Sequence, residues 1–239
     1  MNSNRKSVEC DYVVIGGGIV GGCIAYYLSR NNKEVICIDS GEFSGSNSNA
    51  GSIHVQLQSR NFRLNPHLID NLLENLPFYK EAVNAWDRLR LMLDVDFDLR
   101  VNGGLMVADN EEQMEFLYKK CQKEKAAGLD VEIMDSNKIK KIYPFLSNKV
   151  VGAEFCAHEG KLNPLVANKS LQEASIRSGV KIMKCETVSH IELKNNEYLI
   201  NTNLRDYICE KVIIAAGSGS GKLANFLNIN IPTIAEPLH

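Results

Sequence analysis

An α/β fold with a parallel sheet is predicted by three features of the 239-residue sequence. A β-branched strand, Tyr12 to Ile15, runs straight into Gly16-Gly17-Gly18-Ile19-Val20-Gly21, which matches the spacing G-x-G-x-x-G. A helical pattern and a second apolar strand, Glu34 to Ile38, complete a strand–helix–strand order. Much later, a helix opened by Asn163-Pro164 and closed by Gly179 precedes further strands, the last a parallel one at Val212 to Ala215.

The first element is ambiguous by itself. "DYVVIGGGIVGGCIAYYLS", Asp11 to Ser29, is apolar and follows Arg5 and Lys6, as a secretion signal or a membrane span would. Yet Glu9 and Asp11 stand where a basic segment should meet the apolar one, and no Ala-x-Ala-like site follows Ser29. A spanning helix needs about 20 mostly apolar residues, and glycines this dense weaken a helix. The stretch therefore reads as a turn where backbone approaches a ligand. Gly16 permits the tight strand-to-helix turn, Gly18 lets the backbone reach a pyrophosphate, and Gly21 lets helix and strand pack closely. Ile19, Val20, Cys23, Ile24, Tyr27 and Leu28 keep helical spacing, and the helix start offers free N–H groups to phosphate. Asn31-Asn32-Lys33 turns the chain into "EVICI". That strand ends in Asp39, about 20 residues beyond the glycines, where an acid accepts hydrogen bonds from ribose hydroxyls. A dinucleotide site is expected at Gly16, Gly17, Gly18, Ile19, Val20, Gly21 and Asp39.

The next stretch, "SGEFSGSNSNAGSIHVQLQSR" (Ser40 to Arg60), is crowded with small and hydroxyl residues. It offers backbone N–H groups and short polar side chains to wrap phosphate, ribityl and ring. A nicotinamide enzyme would instead continue its strand–helix alternation; a polar surface linker is the competing reading. Asn65-Pro66 opens a helix expected to reach about Leu93, with Pro77 breaking or kinking it. Its apolar stripe, Trp86 included, is assigned to packing. "VDFDLRVNGGLMVA" alternates like a hairpin, and Glu111 to Ala127 is a charged helix ending at Gly128. Short strands are expected at Val131 to Met134 and Val150 to Cys156. After Gly179 come three short strands, divided at Asn195-Asn196 and at Asn203 to Arg205, before Val212 to Ala215.

Other chemistries find little support. Gly217 to Lys222 resembles a phosphate-binding loop, but Ala216 stands where its first glycine belongs and Leu223 where Ser or Thr belongs. His158-Glu159 is not His-Glu-x-x-His, and no nucleophile elbow is present. No metal site is expected. A net charge of -2 without a Lys/Arg run gives no footprint for nucleic acid. The seven cysteines are scattered, odd in number and without a Cys-x-x-Cys pair, which fits a reducing cytosol and a cytoplasmic location. No transmembrane segment is predicted.

"VVIGGGIVG", "VICID" and "SGSNSNAGSIHVQ" together resemble the FAD-dependent amine and amino-acid oxidoreductases of the D-amino acid oxidase, glycine oxidase and sarcosine oxidase type. The wording "NAG-S-hydrophobic-HVQ" is most similar to opine oxidase, hydrogen cyanide synthase and dye-linked hydroxyproline or proline dehydrogenase subunits. "EGKLNPLVANKSLQEASIRSGVKI" resembles the family's crossover back into the FAD domain, and "KVIIAAGSGSGKLANFL" its strand beside the flavin. The resemblance implies a Rossmann-like FAD-binding domain with an inserted α+β substrate domain. It divides the chain into FAD-binding parts at 1–60 and 158–228, an insertion at 61–157, and a truncated return to the substrate domain at 229–239.

By the same resemblance, noncovalent FAD is held by the glycine turn, Asp39 and Ser40. Ser46, Asn47, Asn49, Ala50, Gly51 and Ser52 wrap the flavin end, Val188 binds adenine through its backbone, and Ala216 and Gly217 pass close to the cofactor. His54 falls where the family places side chains near the ring, with a core histidine as the competing reading. The implied activity is oxidation of the C–N bond of a small amino-acid-like substrate to an imine. Family members continue beyond position 239, so a C-terminal part is expected to be missing, with a partner subunit or complementary C-terminal chain supplying it. A module that holds FAD without turnover and an NAD(P)H-dependent flavin reductase are the alternatives; the latter needs a second dinucleotide fingerprint, which the sequence lacks.

Overall fold

The β-branched run ahead of the glycines becomes the centre of the main sheet: Val13 and Val14 are fully buried, and Ile15 nearly so. The computed structural model describes residues 7–41 and 44–233. In chain order its elements are β1 (Ser7–Ile15), α1 (Ile19–Ser29), β2 (Val35–Asp39), β3 (Ser52–Ile53), α2 (Ser59–Leu64), α3 (Ile69–Glu74), α4 (Leu76–Leu93), β4 (Gly104–Ala108), α5 (Glu111–Ala126), β5 (Val131–Asp135), α6 (Ser136–Ile142), β6 (Gly152–Cys156), β7 (Gly160–Lys161), α7 (Pro164–Arg177), β8 (Lys181–Lys184), β9 (Val188–Lys194), β10 (Glu197–Thr202), β11 (Asp206–Ile214) and α8 (Ser220–Ala224). They form two compact units, 1–50 with 164–239, and 51–163.

The first unit is Rossmann-like. Its six-stranded sheet has the order β8-β2-β1-β11-β10-β9. The strands β8, β2, β1 and β11 are parallel, while β10 and β9 add an antiparallel meander. The second half of β1 (Tyr12 to Ile15) and β2 up to Ile38 read as continuous apolar runs because strands covered on both faces need no polar alternation. Ile15, Ile36, Ile38, Ile191, Ile200 and Tyr207 build one face of the core; Val14, Ala25, Val35 and Cys37 build the other. The expected separate strand before Val212 does not exist: β11 is continuous from Asp206 and pairs with β1 along its length. Its apolar residues Tyr207 and Cys209 are core, so the strand has no reason to stop.

The second unit carries an antiparallel sheet of order β4-β6-β5 with α5 beside it. The expected hairpin in "VDFDLRVNGGLMVA" is absent: β4 pairs with β6, and Arg100 bridges to Lys161. Phe97 is fully buried in this stretch, and Gly103 turns the chain at φ +86°. The helical stretch is broken at Pro77 as expected: α3 ends at Glu74, and Pro77 lies in the first turn of α4, where its missing N–H costs nothing. Trp86, half-buried, packs edge-on against Phe97 at 5.8 Å.

The expected boundaries after residues 60 and 157 fall inside this second unit. Residues 51–163 close on themselves: Ser52 and Ile53 of β3 pair with Lys161 and Gly160 of β7, and Leu162 N–H donates to the Gly51 carbonyl at 2.9 Å. At the other end, 229–233 stay with the first unit, where Thr233 Oγ1 accepts the Gly221 N–H at 3.2 Å. The rest of the expected return, 234–239, lies outside the described residues.

The charged helix α5 buries two of its charges. Lys120 Nζ lies 2.8 Å from Glu124 Oε2 and 2.7 Å from Glu154 Oε2 on β6, all three side chains fully buried. The Gln56 side chain approaches the same ammonium at 3.4 Å. Glu154 Oε1 is buried with no hydrogen-bond partner among the described residues. Burial pushes the Glu154 carboxyl up to about 7; Lys120 pulls it down, and Glu124 adds to the rise.

Candidate cofactor-binding site

The glycine turn is built so that side chains would obstruct it. Gly16 has φ +112°, and a Cβ there would strike the Ala215 carbonyl of the neighbouring strand end. A Cβ on Gly21 would run into the Gly16 carbonyl, which is the close helix–strand approach expected of the third glycine. Gly18 is the N-cap of α1 and supplies no side-chain cap. A Cβ on it would sit 2.8 Å from Ser46 Oγ. Ser46 approaches from the polar loop and accepts the Ile19 N–H at 3.0 Å. Val20, on the exposed start of α1, is largely open to solvent.

Asp39 braces this turn. Its Oδ2 accepts the Gly17 N–H at 2.6 Å and its Oδ1 the Gly41 N–H at 2.8 Å. Each oxygen keeps a further lone pair, so a ribose hydroxyl remains compatible with both bonds. Ser40 follows at the exposed end of β2. The loop that carries Ser46 forms a short 3-10 turn, Gly45–Asn47, and the Asn49 side chain donates back to the Gly45 carbonyl at 2.9 Å. Ala50 ends the loop, exposed. Val188 opens β9, and Gly217, at φ +56°, turns the chain just after Ala216, two residues past the end of β11. Gly51, Ser52 and His54 belong to the second unit. There Ser52 pairs with Lys161, and His54 Nδ1 lies 3.5 Å from Glu159 Oε2.

Two site-supporting side chains are absent from the sequence prediction. Gln172 Nε2 donates to the Gly17 carbonyl at 2.8 Å, and the buried Asn168 donates to Asn47 Oδ1 at 2.9 Å. Both stand on α7 one turn apart, on the side that also contacts α1 and the polar loop. Their signal was a pair of amides at helical spacing among core residues Ala167, Leu171 and Ala174.

These residues fit a dinucleotide pyrophosphate. The start of α1 is uncapped by its own side chains, its glycines leave a cradle that a Cβ would fill, and helix N–H groups with their dipole favour an anion. No helix of the described residues is long and apolar enough to cross a membrane.

The chain is 26% identical over 223 residues to glycine oxidase of Bacillus subtilis (strain 168), covering 91% of this chain and 57% of that protein. It is 29% identical over 224 residues to glycerol 3-phosphate dehydrogenase of Caloramator mitchellensis, covering 92% and 44%. The crystal structure of glycine oxidase from Geobacillus kaustophilus superposes with a TM-score of 0.81 at 19% identity, covering 93% of this chain and 59% of that one. The chain therefore spans about half the length of the relatives it matches. A family profile described as FAD dependent oxidoreductase matches residues 11–238, nearly the whole chain, and this protein belongs to that family.

Proposed function

We propose that this chain binds FAD noncovalently and takes part in oxidising the C–N bond of an amino acid or N-substituted amino acid to an imine. The observation that carries the reading is the glycine turn before α1, braced by Asp39 and Ser46, in a chain related to glycine oxidase. FAD, when bound, supplies the two-electron acceptor; the protein's part is to hold it and orient the substrate. Gly16 to Gly21 and Ser46 hold the pyrophosphate, and Asp39 takes the ribose. Ser40, Asn47, Asn49 and Ala50 wrap the rest of the cofactor; Val188 meets adenine, and Ala216 and Gly217 close beside it. All seven cysteines are free, in keeping with a cytoplasmic protein.

A second reading, oxidation of a phosphorylated alcohol, is favoured by the identity to glycerol 3-phosphate dehydrogenase. One experiment separates them. The purified protein is loaded with FAD, made anaerobic and mixed with glycine, sarcosine, proline, glycerol 3-phosphate or NADH while the visible spectrum is recorded. Bleaching by an amino acid is the expected result. Bleaching by glycerol 3-phosphate alone, or by NADH alone, replaces the proposal. A bound flavin that none of them reduces makes the chain a holding module or one part of a two-chain enzyme. Acid precipitation must release the flavin into solution; yellow colour in the pellet would refute noncovalent binding.

A further inference from the structure

Gly17, the middle residue of the three-glycine run, is buried and pinned on both sides. Its N–H donates to Asp39 Oδ2 at 2.6 Å, and its carbonyl accepts the Nε2–H of Gln172 on α7 at 2.8 Å. One turn earlier on α7, Asn168 Nδ2 donates to Asn47 Oδ1 at 2.9 Å, and the adjacent Ser46 Oγ accepts the Ile19 N–H at 3.0 Å. One helix therefore holds the glycine turn and the polar loop together, and the loop holds the start of α1. All of these residues belong to the first unit.

Consecutive glycines leave the backbone its widest freedom, so local sterics do not decide how their peptide planes face. For an anion the facing matters, because one edge of each plane is an N–H and the other a carbonyl. The described residues contain no cis peptide bond, so the Gly17 carbonyl and the Gly18 N–H point in opposite directions. With the carbonyl tied to α7, the Gly18 N–H leaves on the side away from that helix. There it has no hydrogen-bond partner among the described residues. Gly18 is only half-buried, in extended backbone at φ -71° and ψ -177°, as the N-cap of α1. The same peptide turned over would aim a carbonyl oxygen where an anion has to approach.

We propose that Gln172 is a positioning residue for the cofactor: by holding the Gly17 carbonyl it keeps the Gly18 N–H turned toward the phosphates before FAD arrives. The proposal rests on the glycine turn being the pyrophosphate site. A turn that is competent only part of the time binds with an affinity reduced by that fraction, and the Gln172 bond removes this loss. The Gly17 N–H bond to Asp39 cannot do the same, because it fixes the preceding peptide, Gly16–Gly17.

The test uses protein whose glycines carry carbon-13 at the carbonyl and nitrogen-15. An NMR spectrum correlating each amide with the preceding carbonyl then shows only the Gly–Gly peptides, 16–17, 17–18, 21–22 and 103–104. Gly18→Ala removes the 17–18 signal and so assigns it. In flavin-free wild type that signal should be single, and added FAD should shift it. In Gln172→Met, of similar length but without a donor, the 17–18 signal should move upfield in carbon and broaden, while the 103–104 signal stays. The Kd for FAD should rise about fivefold, the worth of one ordinary hydrogen bond. A 17–18 signal unmoved in Gln172→Met, or a Kd equal to that of wild type, overturns the proposal. Should Gln172→Met fail to fold, Gln172→Glu, whose ionised carboxylate cannot donate, is read in the same way. The carbonyl shift is read without flavin, so a wild-type 17–18 signal that FAD leaves in place refutes the pyrophosphate site separately from the Gln172 bond.

Discussion

Glu154→Gln removes a carboxyl that the fold keeps from ionising. In the folded protein its pKa is pushed up to about 7, chiefly by burial, from an ordinary value of 4.5. Folding therefore favours the neutral form: this contribution is complete below about pH 4.5 and is lost as pH rises through about 7. Each pH unit in that window costs up to about 1.4 kcal/mol, and the whole interval about 3 kcal/mol. Glutamine at 154 cannot titrate, yet its oxygen still accepts from Lys120. The stability of Glu154→Gln relative to wild type should thus rise by about 3 kcal/mol between pH 4.5 and pH 8, whatever its constant offset. Urea denaturation followed by fluorescence reads this directly, because the single tryptophan, Trp86, lies in the same unit. Parallel pH profiles for the two proteins would refute the reasoning. They would mean that Glu154 is already ionised at neutral pH and that its bare Oε1 has found a donor.

Two predictions concern the cofactor. Gly18→Val puts a branched side chain against Ser46 Oγ and into the phosphate cradle, so flavin content after gel filtration should fall to a small fraction of wild type; equal content would reject the turn as the pyrophosphate site. Asp39→Ala removes the acceptor of two loop N–H groups and of the proposed ribose bonds, and should weaken FAD by about 1–3 kcal/mol. An unchanged Kd by flavin fluorescence quenching would leave Asp39 as a brace of the apo loop alone.

What the sequence made legible is local. The glycine turn, α1, β2 and the bounds of α7 follow from neighbouring residues: strand formers before glycines, helical spacing after them, Asn-Pro before a helix and Gly after it. What it hid depends on partners distant along the chain. Residues 95–108 alternate as a hairpin would, yet β4 takes β6 as its partner, nearly fifty residues on in sequence. The two-residue strands β3 and β7 are too short to show a period, although their pairing sets the bounds of the second unit. α6 was missed because Asp135 reads as a strand end, while its carboxylate caps the next helix by accepting the Lys138 N–H at 2.8 Å. In α5 a signal did exist. Met114, Leu117, Cys121 and Glu124 keep one helical stripe, all buried, so an acid at the last place of an apolar stripe marks a carboxylate with a buried partner.

The partner of that carboxylate bears on how the second unit holds irregular backbone. Residues 54–57 form no regular strand, yet Val55, Gln56 and Leu57 are buried. Buried N–H groups without a sheet neighbour need other acceptors. Here all three go to carboxylates: Val55 and Gln56 to Glu159, and Leu57 to Glu124 at 2.6 Å. A main-chain carbonyl on a neighbouring strand would satisfy the same donors, but it would impose the two-residue alternation of a sheet and fix which way each side chain faces. A carboxylate presents two oxygens without that constraint, and a charged acceptor makes roughly twice as strong a bond as a neutral one. The arrangement comes at the cost of burying charge, which Lys120 offsets at Glu124. Among the described residues no lysine or arginine is paired with Glu159; its second oxygen faces His54. One side chain thus holds this segment at two points, its Oε1 on the Val55 and Gln56 N–H groups and its Oε2 facing the imidazole at the exposed start of the segment.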